Sequence, residues 1–189
     1  MRVNMKDLGT KTLETERLIL RKFELNDVEE LFYNGYITDE IMTKNMSWSP
    51  CKNIEEQYNI IKKWIEQYEN NDYYRWLIVL KETGEFIGGI DVCNLYKKKD
   101  YGEVGYCIWS KYWNNGYATE ALRRVIEYLL LDCDFHLVEA HHAGFNPASG
   151  RVMEKAGMKK DGELRERRLD KETGVYTPQV YYSILKDEL

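Results

Sequence analysis

Trp113-Asn114-Asn115-Gly116-Tyr117-Ala118-Thr119 stands between two stretches of different periodicity. Before it, residues 103–109 form an apolar run of strand length; after it, Ala118, Ala121, Leu122, Val125, Ile126, Leu129 and Leu130 recur at helical spacing and make a wide apolar face. Gly116 therefore marks a strand-to-helix turn. The first N–H groups of a helix have no partner inside it, and a residue without Cβ lets a ligand come close to the backbone, so such a turn is suited to a pyrophosphate. An ordinary turn meets the same local pattern equally well. The G-x-G-x-x-G pattern of dinucleotide folds is absent, and so is a P-loop lysine.

Working back from this turn, residues 76–80 and 86–93 are apolar runs joined across Glu82-Thr83-Gly84-Glu85, which predicts a hairpin, followed by a loop over 94–100 carrying Lys97, Lys98 and Lys99. Asn53 and Glu56 are placed to cap a long helix in which Ile54, Tyr58, Ile61, Trp64, Ile65 and Tyr68 share a face. An irregular stretch with Trp48 and Pro50 precedes it. Asn26, three residues before Glu29, predicts the start of a helix through Tyr33, and residues 17–21 read as a first strand. Working forward, residues 135–143 read as a strand, Asn146-Pro147 as the N-cap and first turn of a helix to Ala156, and Gly157 as its C-terminal cap. Residues 158–169 and 176–185 close the chain as a hairpin about Lys171-Glu172-Thr173-Gly174. Strands that mostly follow one another, with helices interspersed, predict an α+β fold with a mostly antiparallel, mixed sheet in one domain over residues 1–189.

Composition narrows the function classes. Hydrophobic residues make up 43% of the 189, with 5 Trp and 15 Tyr, enough for a sizeable core. A formal charge of -5 provides no broad basic field, so nucleic acid and anionic membranes are not expected partners. The four cysteines, Cys51, Cys93, Cys107 and Cys133, form no CxxC pair and are expected to be reduced and buried. His141 and His142 are adjacent in a strand, where successive side chains face opposite ways, and so do not share a metal; no metal is expected. The start lacks the apolar stretch of a signal peptide and no apolar run approaches a membrane span, which makes a cytoplasmic location the expectation. Lys186-Asp187-Glu188-Leu189 spells an ER-retrieval signal, which without an entry signal is read as coincidence.

The segment Gly116-Tyr117-Ala118-Thr119-Glu120-Ala121-Leu122 resembles the acyl-CoA-binding motif of the GNAT acyltransferases, [Gln/Arg]-x-x-Gly-x-[Gly/Ala]. Trp113 occupies the Gln/Arg position, as in the RimJ/RimL-type branch of ribosomal-protein N-terminal acetyltransferases, where an aromatic often precedes the loop. A second block, Asn146-Pro147-Ala148-Ser149-Gly150-Arg151-Val152-Met153-Glu154-Lys155-Ala156-Gly157-Met158, resembles the family's next helix at the right spacing. Leu13-Glu14-Thr15-Glu16-Arg17-Leu18-Ile19-Leu20-Arg21 and Tyr181-Tyr182-Ser183-Ile184-Leu185 agree as well, so the resemblance covers nearly the whole chain.

The resemblance implies a GNAT-like fold, with a sheet splayed between two neighbouring strands, here 103–109 and 135–143, and acetyl-CoA as cosubstrate. By resemblance, backbone donors of Asn114, Asn115, Gly116, Tyr117, Ala118 and Thr119 would hold the phosphates. A backbone N–H at Tyr106, Cys107 or Ile108 would face the oxyanion, and Asn146 would bond the pantetheine arm. Acyl transfer to an amine also needs an acid for the thiolate and a base for the ammonium. Many relatives place a Tyr seven residues after the helix-opening Asn; here Met153 stands there and Ser149 is the implied acid, next to the thiol. Glu103, at the start of the splayed strand, and Glu166 are the candidate bases. Some relatives carry an acid nineteen residues after the serine, where this chain has Arg168, and Glu166 would share its strand face. Pro178 stands where relatives often have Asp. The implied activity is direct acetylation of a primary amine, a protein or peptide N-terminus first. Alternatives left open are a small-molecule amine (polyamine, amino acid or antibiotic) and a non-catalytic acyl-CoA sensor. A homodimer is plausible.

Overall fold

A computed structural model describes residues 5–34 and 38–189. The chain forms two compact units, one of Asp7–Asp91 with Tyr106–Tyr117, the other of Val92–Gly105 and Ala118–Leu189 with the start of the chain through Lys6. The elements are β1 (Leu13–Glu14), β2 (Leu18–Arg21), α1 (Asp27–Tyr33), α2 (Glu40–Thr43), α3 (Ile54–Gln67), β3 (Arg75–Leu80), β4 (Phe86–Tyr96) and β5 (Tyr101–Ile108). They continue with α4 (Tyr117–Glu127), β6 (Leu137–Ala143), α5 (Pro147–Lys155), β7 (Lys159–Leu169) and β8 (Tyr176–Leu185). The strand order is β1-β2-β3-β4-β5-β6-β8-β7. β5 pairs with β6 in parallel, and the β1–β2, β2–β3, β3–β4, β6–β8 and β7–β8 ladders are antiparallel. The α+β expectation with a mixed, mostly antiparallel sheet holds. No helix among the described residues is long and apolar enough to cross a membrane.

In the first unit, Phe23, Val28, Leu31, Met42, Ile61, Leu77, Val79 and Phe86 make a core against which Ile54, Trp64, Ile65 and Tyr68 of the α3 face pack. Tyr58, expected on that face, is exposed. Asn53 caps α3 as expected, its side chain accepting the Glu56 N–H at 2.8 Å, while the Glu56 carboxylate accepts the Lys52 N–H at 2.8 Å. Asn26 does not cap α1 with its side chain. Its backbone is already helical (φ −66, ψ −17), which directs the amide away from the open N–H groups. Asp27 ties the start instead: it accepts the Glu24 N–H at 2.8 Å and takes a two-pronged ion pair from Arg21 at 2.8 and 2.9 Å. The stretch read as irregular contains α2, capped by Asp39, whose carboxylate accepts from Met42 N and Ser110 N.

In the second unit, alternation along β6 buries Val138, Ala140 and His142 with Val180, Tyr182 and Ile184 of β8, and the apolar face of α4 is buried as well. After Glu127 the helix widens into one π turn, Tyr128–Asp132, which keeps Tyr128, Leu129 and Leu130 buried. α5 ends as expected at Gly157 (φ +100). Met158 N bonds Met153 O and Gly157 N bonds Glu154 O, both at 3.0 Å, a Schellman closure. The loop predicted over 94–100 is shorter than expected. β4 runs through Tyr96, Lys97–Lys99 make one 3-10 turn, and Tyr96 stacks on Tyr101 with ring centroids 4.4 Å apart, which zips the hairpin to its tip. The four cysteines form no disulfide with one another, and of the four, all expected to be buried, Cys133 is buried. Cys51, before α3, is half-buried; Cys93 in β4 is exposed and Cys107 in β5 half-buried, because alternate positions of a strand face outward.

Gly88 sets how closely β4 and β5 approach within the first unit. A Cβ there would lie 2.3 Å from the Cys107 carbonyl oxygen, a backbone atom that no side-chain rotation removes. Gly88→Ala is expected to cost about 3 kcal/mol and to lower Tm by roughly 6–12 °C, read by circular dichroism melting. A Tm within about a degree of the parent would show that the two strands part without cost.

Candidate active site

The turn before α4 is built by side chains of its own unit. A 3-10 turn, Ser110–Tyr112, follows β5, and the Trp113 indole N–H donates to Ile108 O at 2.6 Å, pinning the turn to the end of the strand. The Asn115 amide donates to Tyr112 O and Trp113 O, both at 3.1 Å. Asn114 (φ +65) and Gly116 (φ +81) both take the left-handed conformation, at no steric cost for Gly116 and a tolerable one for Asn114. This hands the chain into α4 at Tyr117, where the first-turn N–H groups and the helix dipole favour an anion. The side chains of Trp113 and Asn115 thus shape the turn, and the backbone is left to bind.

Arg17, just before β2, closes this construction. Its guanidinium donates to Asn115 O at 3.1 Å and lies 4.6 Å from the centroid of the Tyr117 ring. A cation therefore sits against the loop expected to take phosphates. The sequence reading quoted Arg17 only as part of a matching segment; its role depends on a contact across 98 residues.

In the second unit, the parallel ladder brings Glu103 beside Glu139, and β6 pairs His141 with Tyr181 of β8. These side chains share the sheet face opposite the buried one. Glu103 Oε1 lies 3.0 Å from His141 Nε2, and Glu103 Oε2 accepts from Asn94 Nδ2 at 3.1 Å. The Glu103 side chain is 13% exposed and that of His141 29%. The hydrogen bond from His141 holds the Glu103 carboxyl below the usual range against the opposing effect of burial. Glu139 goes the other way, raised by burial and then by the charge of Glu103. Burial raises the Tyr181 hydroxyl, helped by both carboxylates. An imidazole–carboxylate pair on a negative face can draw in an ammonium and accept its proton. His141 was read from sequence only as unable to share a metal with His142. Its period-two relation to Glu139 was available there, but the register that sets it against Glu103 was not. Among the described residues no group of three or more His, Cys, Asp or Glu is placed to hold a metal.

Asn146 precedes α5, but its side chain makes no cap bond, contrary to expectation. At φ −116, ψ 64 its backbone carbonyl instead accepts the Ser149 N–H at 3.2 Å, closing the first turn. Both residues are half-buried. Met153, in place of the usual Tyr, is 1% exposed and packs in the core. Glu166 lies in an irregularity of the β7–β8 register between Leu164 and Arg168, with φ +51. The alternation argument that gave it the face of Arg168 does not carry across a bulge. Pro178 O accepts the Gly144 N–H at 2.8 Å. Among the predicted residues the second unit thus joins Asn146 to Ser149, and Glu103 to the unpredicted His141.

Residues 17–159 match the acetyltransferase (GNAT) domain family. The chain is 29% identical over 178 residues to the uncharacterised N-acetyltransferase p20 of Bacillus licheniformis, covering 94% of this chain and 98% of that protein. It is 32% identical over 154 residues to the uncharacterised N-acetyltransferase YoaA of Bacillus subtilis (strain 168), covering 82% and 86%. Among solved structures, a GNAT-family acetyltransferase from Bacillus anthracis superposes with a TM-score of 0.79 at 26% identity, covering 94% of this chain and 99% of that one. RimL, the ribosomal L7/L12 alpha-N-protein acetyltransferase, shares the fold with a TM-score of 0.82 at 15% identity, covering 95% and 100%. The phosphate-suited turn into α4 and the match over most of the sequence thus agree, and the chain belongs to the GNAT acetyltransferase family and is an acyltransferase.

Proposed function

We propose that the chain transfers an acetyl group from acetyl-CoA directly to a primary amine, most closely a protein or peptide N-terminus, as one acyltransferase domain over residues 1–189. The observation that carries the reading is the paired left-handed turn at Asn114 and Gly116, which opens α4 toward an anion beside the Arg17 guanidinium. This fits the diphosphate of CoA, with backbone N–H groups from Asn114 to Thr119 as donors. RimL was solved with coenzyme A, and the microcin C7 self immunity acetyltransferase MccE, of the same fold at 19% identity and TM-score 0.79, with acetyl-CoA and AMP.

The other assignments follow the chemistry of each residue. Tyr106, Cys107 and Ile108 offer backbone N–H groups to the thioester oxygen, and Asn146, whose side chain is not used as a cap, meets the pantetheine arm. Ser149, in the first turn of α5, supplies a proton to the departing sulfur. The negative face around Glu103 and Glu139 supports an acceptor that arrives as an ammonium ion. The N-terminal acceptor is supported by the RimJ/RimL-like pattern of Trp113 and Ser149.

Release of CoA thiol from acetyl-CoA, screened against N-terminal peptides, polyamines and amino-sugar antibiotics beside calorimetric CoA binding, tests this reading. Acceptor-dependent release with a peptide is expected; release only with a small amine moves the acceptor class, and absence of CoA binding removes the proposal. Ser149→Ala is expected to lower kcat by about 10²-fold or more while CoA affinity stays within about twofold, and undiminished turnover would end its role as acid. Arg17→Ala is expected to raise KM for acetyl-CoA about tenfold, the scale of one charged hydrogen bond, with kcat kept; an unchanged KM would separate Arg17 from the phosphate loop.

A further inference from the structure

We propose that His141 takes the proton from the incoming ammonium through Nδ1, with Glu103 as the positioning residue that fixes its tautomer. This assignment rests on the acyltransferase reading above and changes the part Glu103 plays in it. Glu103 has both carboxylate oxygens engaged, Oε1 with His141 Nε2 at 3.0 Å and Oε2 with the Asn94 amide at 3.1 Å. A carboxylate accepts, so the imidazole hydrogen is on Nε2 and the Nδ1 lone pair points away from Glu103. Of the two, the imidazole is the more exposed, at 29% against 13%, and meets an arriving amine first. β6 alternation explains why it is available. Its neighbour His142 is turned into the core, with Nδ1 2.8 Å from Ala143 O, while His141 stands on the open face beside Tyr181, ring centroids 5.2 Å apart.

The surroundings suit a base. The groups facing the imidazole are Glu103 from β5, Glu139 from β6 and Tyr181 from β8; Asn94 and Tyr96 of β4 act through Glu103, Lys99 and Asp161 through Glu139, and Arg167 through Tyr181. The carboxylates of Glu103 and Glu139 make this face negative and draw an ammonium toward the imidazole. Glu103 itself, held low by the same hydrogen bond, is a poor acceptor for an ammonium proton.

The step balances as follows. His141 Nδ1 takes one proton from the ammonium, and the freed lone pair attacks the thioester carbon, forming the C–N bond. The C–S bond then breaks with its electron pair going to sulfur, which takes a proton from the Ser149 hydroxyl. The surplus proton on the new amide nitrogen restores Ser149, and His141 releases its proton to solvent. One proton leaves as CoA thiol and one in solution, as conversion of an ammonium to an amide requires.

Three variants of the full chain, assayed with the most active acceptor of the thiol-release screen, test the assignment. His141→Ala is expected to lose about 10²-fold or more in kcat, to keep its KM for acetyl-CoA within about twofold, and to regain turnover with added imidazole. His141→Gln, whose amide can still donate to Glu103, is expected to be as slow as the alanine variant, whereas a merely structural role would leave it active. Glu103→Gln is expected to lose less than His141→Ala. If His141→Gln keeps wild-type turnover, or imidazole fails to rescue His141→Ala while Glu103→Gln is inactive, the proposal falls and Glu103 is the base. Nitrogen NMR of the wild-type imidazole adds a test that needs no acceptor: the hydrogen is expected on Nε2, and finding it on Nδ1 overturns the assignment. Wild-type protein that transfers acetyl to no acceptor counts against the acyltransferase reading, and the NMR result then judges the tautomer alone.

Discussion

Every backbone donor and acceptor removed from water must find a partner, and the parallel β5–β6 ladder meets that demand over only part of β5 and β6. It comprises three residue pairs, ending at Glu103 and Glu139, while the other edge of β6 pairs with β8 over all seven residues through Ala143. The seven-pair ladder anchors β6, and the three-pair ladder leaves the rest of its partner edge for other use. The same short ladder sets Glu103 beside Glu139, and hydrogen bonds from His141 and Asn94 to Glu103 offset the repulsion between the two carboxylates.

Chemistry within each unit is held by fixed groups. In the first, Trp113, Asn115 and Arg17 spend their polar atoms on the shape of a turn, so that the backbone of that turn is already arranged before a ligand arrives. In the second, Glu103 spends both oxygens on orienting its neighbours. In each case side-chain hydrogen bonds fix the position of a neighbouring group.

The sequence made the repeating patterns legible and left the long-range contacts hidden. β-strand alternation and the helical faces of α3 and α4 are local properties, so residues such as Ile61, Trp64, Leu122 and Val125 could be assigned from spacing. Caps were half legible. Asn53 caps because its backbone is extended, Asn26 does not because its backbone is helical, and nothing in the two residue names separates them. The glycine at 116 was readable as a turn, but the left-handed Asn114 and the Arg17 bond to Asn115 needed the fold. His141 was hidden because its partner is set by strand register, and the face of Glu166 could not be read from alternation because it lies in a register irregularity.

The bond from Arg17 to Asn115 ties residues 98 positions apart, and the unit that contains it leaves the chain at Asp91 and resumes at Tyr106. During synthesis, then, the segment carrying Arg17 emerges well ahead of the loop whose carbonyl accepts its bond. Contacts of such long sequence separation slow folding, so this bond is expected to form after the local elements. A chain interrupted between Asp91 and Tyr106 would present an antiparallel ladder with an uncovered edge, the form in which a nascent protein is most exposed to pairing with its neighbours.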